Sequence, residues 1–116
     1  MLYNEDIVRS YIDTMLWAEN EQLDNSDCIG DDLEHSIRVD VKRFVSMLNT
    51  AEEMEMLYSP EMFGHNFYLT RQGHGAGFWD GDYKNGDSLT EKAQQFEEHS
   101  LYEVEGVTYD DANNPR

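Results

Sequence analysis

Phe67-Tyr68-Leu69-Thr70-Arg71-Gln72-Gly73-His74-Gly75-Ala76-Gly77-Phe78-Trp79-Asp80 is the stretch on which the fold turns. Its first five residues alternate, Phe67, Leu69 and Arg71 against Tyr68 and Thr70, and the run is rich in β-formers, which predicts a strand. Three glycines then fall two apart. If 73–79 is extended, the glycines share one face with Trp79, while His74, Ala76 and Phe78 share the other. Glycine in a strand marks a bulge, a bend or the close approach of another backbone or ring, and the same residues can form the loop of a hairpin. Trp79 is expected in the core, and His74 as a hydrogen-bonding residue of the glycine-rich turn.

Working outward, Ser88-Leu89-Thr90-Glu91 fits a capping box and predicts a short helix whose inward face is Leu89, Ala93 and Phe96. Leu101 to Val104 and Val107 to Tyr109 read as two short strands joined at Glu105-Gly106. Upstream, Ile7, Val8, Tyr11, Ile12, Met15 and Leu16 recur at helical spacing between about Asn4 and Asn20, with Asn4 as cap and Glu5 and Asp6 beside the positive end of the helix dipole. Trp17 lies on the face opposite that stripe. It is either covered by a later part of the fold, which is the expectation because large exposed aromatics are uncommon, or exposed as an apolar anchor.

A polar loop over 21–30 leads to a second helix from about Asp31 to Thr50, with Leu33, Ile37, Val41, Phe44, Val45 and Leu48 on one side. Glu52, Glu53 and Glu55 extend it as an acidic end until Pro60 stops it. Acids at a helix C-terminus are unfavourable, which hints at another purpose. The pattern predicts an α+β fold: two N-terminal helices packed with a small antiparallel sheet and one short helix in the C-terminal half. It reads as a single domain over 1–116, with an acidic helical half at 1–60, a β-rich half carrying the glycine motif at 61–110, and a tail at 111–116.

Twenty-five acidic side chains against eight basic ones give a net charge of -17 over 116 residues. The imbalance falls in blocks, because no Lys or Arg lies between Arg9 and Arg38, between Arg43 and Arg71, or between Lys92 and Arg116. Such a surface repels nucleic acid and anionic membranes and steers basic protein faces toward itself, most strongly at low salt. Self-repulsion also weakens the compact state, so stability should rise with salt. Cys28 is the single cysteine, so no internal disulfide is expected. Met1 to Arg9 lack the basic start and apolar run of a signal peptide, and no segment has the length of a bilayer span.

Chemistry finds little support in the pattern. His65 and His74 with Asp80, Asp82 and Asp87 offer ligands of metal-binding type, but their spacing is only suggestive. Asp80, Asp82, Lys84 and Glu91 fall at positions 1, 3, 5 and 12 of a calcium loop, yet the fifth is a cation and Gly86 sits one place late. Cys28 has no local activating cation, and the 73–77 run lacks the lysine and hydroxyl of a phosphate loop. No enzymatic activity, metal or cofactor is expected.

The 67–80 stretch resembles a motif of small, mostly uncharacterised proteins of tailed bacteriophages and prophages, in which a strand and leucine-threonine-arginine precede glycine-histidine-glycine-alanine-glycine-phenylalanine-tryptophan-aspartate. The resemblance runs from about Asn66 to Tyr109 and leaves the acidic helical half unmatched. It brings no established activity but implies a phage origin, which favours a role in blocking host defence or redirecting host enzymes; with no signal peptide or bilayer span read in the sequence, the expected place is the host bacterial cytoplasm.

The leading functional expectation is an acidic interaction protein that imitates the phosphate pattern of DNA and occupies the basic face of a host DNA-binding, restriction or CRISPR-type protein. Carboxylates three or four residues apart on a helix lie about 5 to 6 Å from one another, while duplex DNA presents about one charge per 1.7 Å of axis. The candidate partner-binding residues are Asp13, Glu19, Glu21, Asp24, Asp27, Asp31 and Asp32, with Glu52, Glu53 and Glu55 as a second patch and Trp17 as anchor. An alternative is a small module binding a peptide, nucleobase or metal at Arg71, His74, Trp79 and Asp80. A third is a phage assembly component; a homodimer is left open.

Overall fold

Residues 60–71 form a helix, not the strand expected of them. The computed structural model describes residues 2–24, 26–80 and 83–111. It contains α1 (Leu2–Ala18), β1 (Cys28–Ile29), α2 (Asp31–Ser46), α3 (Thr50–Tyr58), α4 (Pro60–Arg71), α5 (Gly86–Ala93), β2 (Leu101–Val104) and β3 (Val107–Asp110). The class is α+β, with more helix and a different sheet from those expected.

The start of α4 is built from Ser59, whose hydroxyl accepts from the Met62 amide at 3.4 Å, and from Pro60, whose fixed φ suits a first turn. Phe63, Gly64 and every residue from Asn66 to Arg71 are buried. A helix enclosed nearly all round has no polar face, so the 3.6-residue period disappears and the short-range alternation of 67–71 mimics a strand. The helix stops in a Schellman motif: the Gly73 amide donates to the Thr70 carbonyl at 3.2 Å and the His74 amide to that of Leu69 at 2.9 Å, with Gly73 at φ +74. The first glycine of the motif is therefore a helix terminator. The third, Gly77, lies against Thr70, whose hydroxyl accepts from the Phe78 amide at 3.0 Å.

The most extensive packing joins α1 to α4. They approach so closely that a Cβ on Gly64 would lie 2.3 Å from the Ile7 carbonyl oxygen. Around this pair the core is aromatic: Phe44 stacks on Phe67 at 4.1 Å between centroids, and Phe63, Phe78 and Phe96 complete the cluster. Phe78, not Trp79, supplies the buried ring of the glycine motif, because the chain turns at 78–80 and leaves Trp79 48% exposed.

Two further expectations are corrected around α3. It is a separate helix, begun by a capping box in which Asn49 accepts from the Glu52 amide and Glu52 from the Asn49 amide. Glu52 and Glu53 thus occupy the favourable first turn of α3 instead of the C-terminal end of α2. The box read at Ser88 to Glu91 is not used: α5 begins at Gly86 with Asn85 at the N-cap position, three residues earlier, and the Ser88 hydroxyl donates to the Glu52 carboxylate.

The hairpin of β2 and β3 turns at Glu105 (φ 51) and Gly106 (φ 82), both positive as a type I′ turn requires. The sheet is mixed, not antiparallel: β3 is central, with β2 antiparallel on one side and the two-residue β1 parallel on the other. Two residues are too few to carry a periodic signal, so β1 was hidden inside the polar loop. No described helix is long and apolar enough to cross a membrane.

Candidate functional site

Two clusters built from the same kinds of residue lie at opposite extremes of exposure. The closed one starts at Arg71, on the last turn of α4. Its guanidinium donates to Asp40 of α2 at 2.8 Å, to the Glu97 carbonyl at 2.7 Å and to the Tyr11 hydroxyl of α1 at 3.3 Å, and it stands over the Phe96 ring. Tyr11 Oη lies 2.5 Å from His99 Nε2, and His99 Nδ1 lies 2.7 Å from Asp110 of β3. With Arg71 donating to the phenol oxygen, the phenol proton goes to His99 Nε2, and neutral His99 donates from Nδ1 to Asp110. Burial foremost pushes the Tyr11 hydroxyl up, only partly countered by Arg71, so it stays a donor. Burial foremost also holds His99 below its usual value, against the opposing pull of Asp110. His99 has 1% of its side chain exposed, and both ring nitrogens are used. This cluster ties α1, α2 and α4 to the hairpin and offers no open position to a ligand.

The open cluster lies at the C-terminal end of α1. Glu19 Oε2 accepts from the Tyr68 hydroxyl at 2.5 Å and stands 2.9 Å from His74 Nε2. Burial, followed by Glu19, pushes the Tyr68 phenol up, which keeps its proton in place for that bond. The His74 side chain retains 34% exposure. It lines a cleft of about 920 Å³ together with Trp17, Glu19, Glu21, His65 and Leu69. His65 is fixed there by Thr14. The Thr14 hydroxyl donates its proton to the Ser10 carbonyl at 2.8 Å, so at 2.9 Å it accepts from His65 Nδ1. Burial holds the His65 imidazole below its usual value. Trp17 lies beside it, with ring centroids 6.2 Å apart.

Trp17 is 68% exposed, so against expectation the described residues leave it uncovered. Asp13, Glu21, Asp24, Asp27, Asp31, Asp32 and Glu53 are exposed as well. The remaining acids of the expected patches are engaged internally. Glu19 is the anchored carboxylate of the cleft. Glu55 accepts from the Lys84 and Asn85 amides at 2.6 and 3.1 Å. Glu52 is fully buried. Burial works to raise its carboxyl, but Lys92, Ser88 and the Asn49 amide prevail and hold it below the usual range. Glu52 is a core ion-pair partner of Lys92, not a surface acid.

The four residues of the alternative motif site do not converge. Arg71 is in the closed cluster, His74 is in the cleft, and Trp79 lines a separate depression near Tyr83 and Asp87, with Asp80 exposed. Among the described residues no three His, Cys, Asp or Glu side chains come together as a cation requires; Asp82 lies outside the described residues. His65 gave no sign of its place in the sequence, because the contacts that put it beside Trp17 span α1 and α4.

No protein-family model, no curated protein and no solved structure matches the chain. Any functional reading therefore rests on the residues and their geometry.

Proposed function

We propose that this chain is an acidic interaction protein that takes the place of DNA on the basic face of a DNA-binding partner, with the Trp17 cleft as its point of capture. The observation that carries the reading is an indole 68% exposed at a cleft lined also by the carboxylates of Glu19 and Glu21 and with no Lys or Arg among the described residues of its wall. An indole face and carboxylates together attract the cationic tips of arginine and lysine, the same groups that hold phosphates in a DNA complex. Glu19 is held by Tyr68 and His74, so it meets a cation already oriented.

The cations of the chain support the reading from the other side. Arg38, Arg43, Arg71 and Lys92, four of the eight basic residues, are paired with carboxylates of the same chain. The exposed acids of 13–32 face no Lys or Arg of their own segment, and the summed field favours a basic partner while repelling nucleic acid. A phage source is what the motif resemblance implies, and a restriction, CRISPR-type or other DNA-binding host protein is the target class that the acidic surface suits. The binding-module alternative shares the cleft, since His74, Gly75 and Ala76 form part of its wall; its occupant is then a basic peptide segment, because a nucleotide brings repelled phosphate.

The test is retention of DNA-binding proteins from bacterial lysate on the immobilised chain, followed by elution with duplex DNA. Proteins released by DNA and by moderate salt, and lost when Trp17→Ala or Glu21→Lys replaces the wild type, support the proposal. Retention indifferent to both substitutions, or to competing DNA, overturns it.

A further inference from the structure

α3 is amphipathic in the wrong direction for a solvent-facing helix. Its inner face is Glu52 and Met56, both fully buried. Its outer face carries Met54, Leu57 and Tyr58, which steps of three and four residues place side by side, and these are 67%, 47% and 92% exposed. Met62, in the first turns of α4, is 47% exposed and follows Tyr58 by four residues. Half of the large exposed apolar side chains among the described residues therefore come from positions 54–62. Single exposed apolar residues need no explanation, but a clustered stripe on one helix marks a contact surface.

The stripe borders a groove of about 580 Å³ between α3 and the turn that precedes α5, with Ala51, Met54 and Tyr58 on one wall and Tyr83, Lys84 and Asn85 on the other. The walls are tied together at the base: Glu55 of α3 accepts from the amides of Lys84 and Asn85 and from the Asn85 side chain at 2.9 Å. The groove thus exists before any ligand arrives, which lowers the ordering cost of binding. Glu53, four residues before Leu57, is exposed beside the stripe.

We infer that this groove receives an amphipathic helix of a partner protein, with apolar anchors at i and i+3 or i+4 and lysines or arginines beside them. Methionines suit such a surface because their unbranched side chains repack around different anchors, and an apolar groove read at helical spacing is a recurrent recognition mode. Charge decides between the two available occupants. A second copy would bring another net charge of -17 against the first, whereas basic flanks are steered inward by the same field. The surface is separate from the Trp17 cleft and shares none of its residues, so neither proposal depends on the other.

The probe is a synthetic leucine-lysine amphipathic helix, compared with a peptide of equal charge in which the leucines are replaced by glutamine. Both are titrated by calorimetry at about 0.15 M salt, where surface charge is screened beyond about 8 Å. The leucine peptide should bind at least about tenfold more tightly than its control, and Met54→Asp or Tyr58→Asp should each remove at least about tenfold, as anchors of a small interface do. Both positions are solvent-facing, so the core is untouched, and Trp17→Ala should leave this binding unchanged. Equal affinity for the two peptides, or indifference to Met54→Asp, overturns the inference. So does sedimentation showing a dimer of the chain that Met54→Asp dissolves, which would assign the stripe to a second copy.

Discussion

Arg71, Tyr11, His99 and Asp110 on one side, and Glu19, Tyr68, His74 and Trp17 on the other, use nearly the same chemistry for opposite ends. In the first group every donor and acceptor is turned onto another part of the chain, and His99 has only 1% of its side chain exposed. In the second, the carboxylate is anchored just as firmly, yet the His74 side chain is 34% exposed and the indole beside it stands in solvent. Residue type therefore does not separate scaffold from site; what separates them is whether the hydrogen-bonding capacity is used up inside the fold. Substitutions should sort the same way, costing stability in the closed cluster and recognition in the open one.

The sharpest break of that contrast is Arg71→Ala. It leaves Asp40, whose side chain is 13% exposed, with only the longer contact to the exposed Arg43 at 3.7 Å, and removes the donor to Tyr11 and the Glu97 carbonyl. Loss of one partner of a buried pair costs about 3 to 5 kcal/mol, which urea or thermal unfolding would register. A loss below about 1 kcal/mol would mean that the closed cluster is not the scaffold described.

Gly73→Ala should come next, at about 1 kcal/mol, because φ is +74 there and a side chain is strained in the helix-terminating turn. The cleft should shift with it, since His74 follows directly, so unfolding and partner binding should both weaken.

Acid should separate the clusters more gently. His99 and His65 are held below their usual values by burial, so both are neutral in the folded chain and bind protons more readily once unfolded. The stability they contribute is present above the ordinary histidine value of about 6.5 and is lost as pH falls through their depressed folded values. Urea midpoints measured from pH 7.5 to 5 should fall, and the decline should shrink in His99→Gln. Glu52 adds a second loss below the usual carboxylate range, because its carboxyl is held down by Lys92 and Ser88.

The smallest effect on stability belongs to the open cluster. Trp17→Ala should change unfolding free energy by no more than about 0.5 kcal/mol, as surface substitutions do, while weakening a basic partner at least about tenfold, the loss expected of an interface anchor. A variant that unfolds instead would place Trp17 in the scaffold.

The sequence made some of this visible and concealed the rest for reasons that differ from element to element. α1 and α2 were legible because each buries one stripe, as in Leu33, Ile37, Val41 and Phe44. The β2–β3 hairpin was legible because Glu105-Gly106 announces its turn. α4 was not, since burial all round erased its period, and the glycine motif was read as extended when its first glycine ends that helix. The choice between Phe78 and Trp79 for the core followed from the same error. The capping box read at Ser88 to Glu91 is not used, while the one that is used, Asn49 to Glu52, was hidden inside the expected end of α2. At the end of α1 the sequence misled twice: Trp17 was expected to be covered and is exposed, and Glu19 was expected as a surface acid but is largely buried against Tyr68 and His74. The closed cluster was not, because its links join residues 60 and 88 positions apart.

Trp17 itself reports on the central claim. In a Trp79→Phe background its fluorescence is the only indole signal, since the chain has two tryptophans. Titration with an arginine-rich peptide should change that emission, with an affinity that falls as salt rises and that drops at least about tenfold in Glu21→Gln. An emission unmoved by the peptide, or a response unaltered by Glu21→Gln, would contradict the assignment of the cleft as the point where a basic partner is captured.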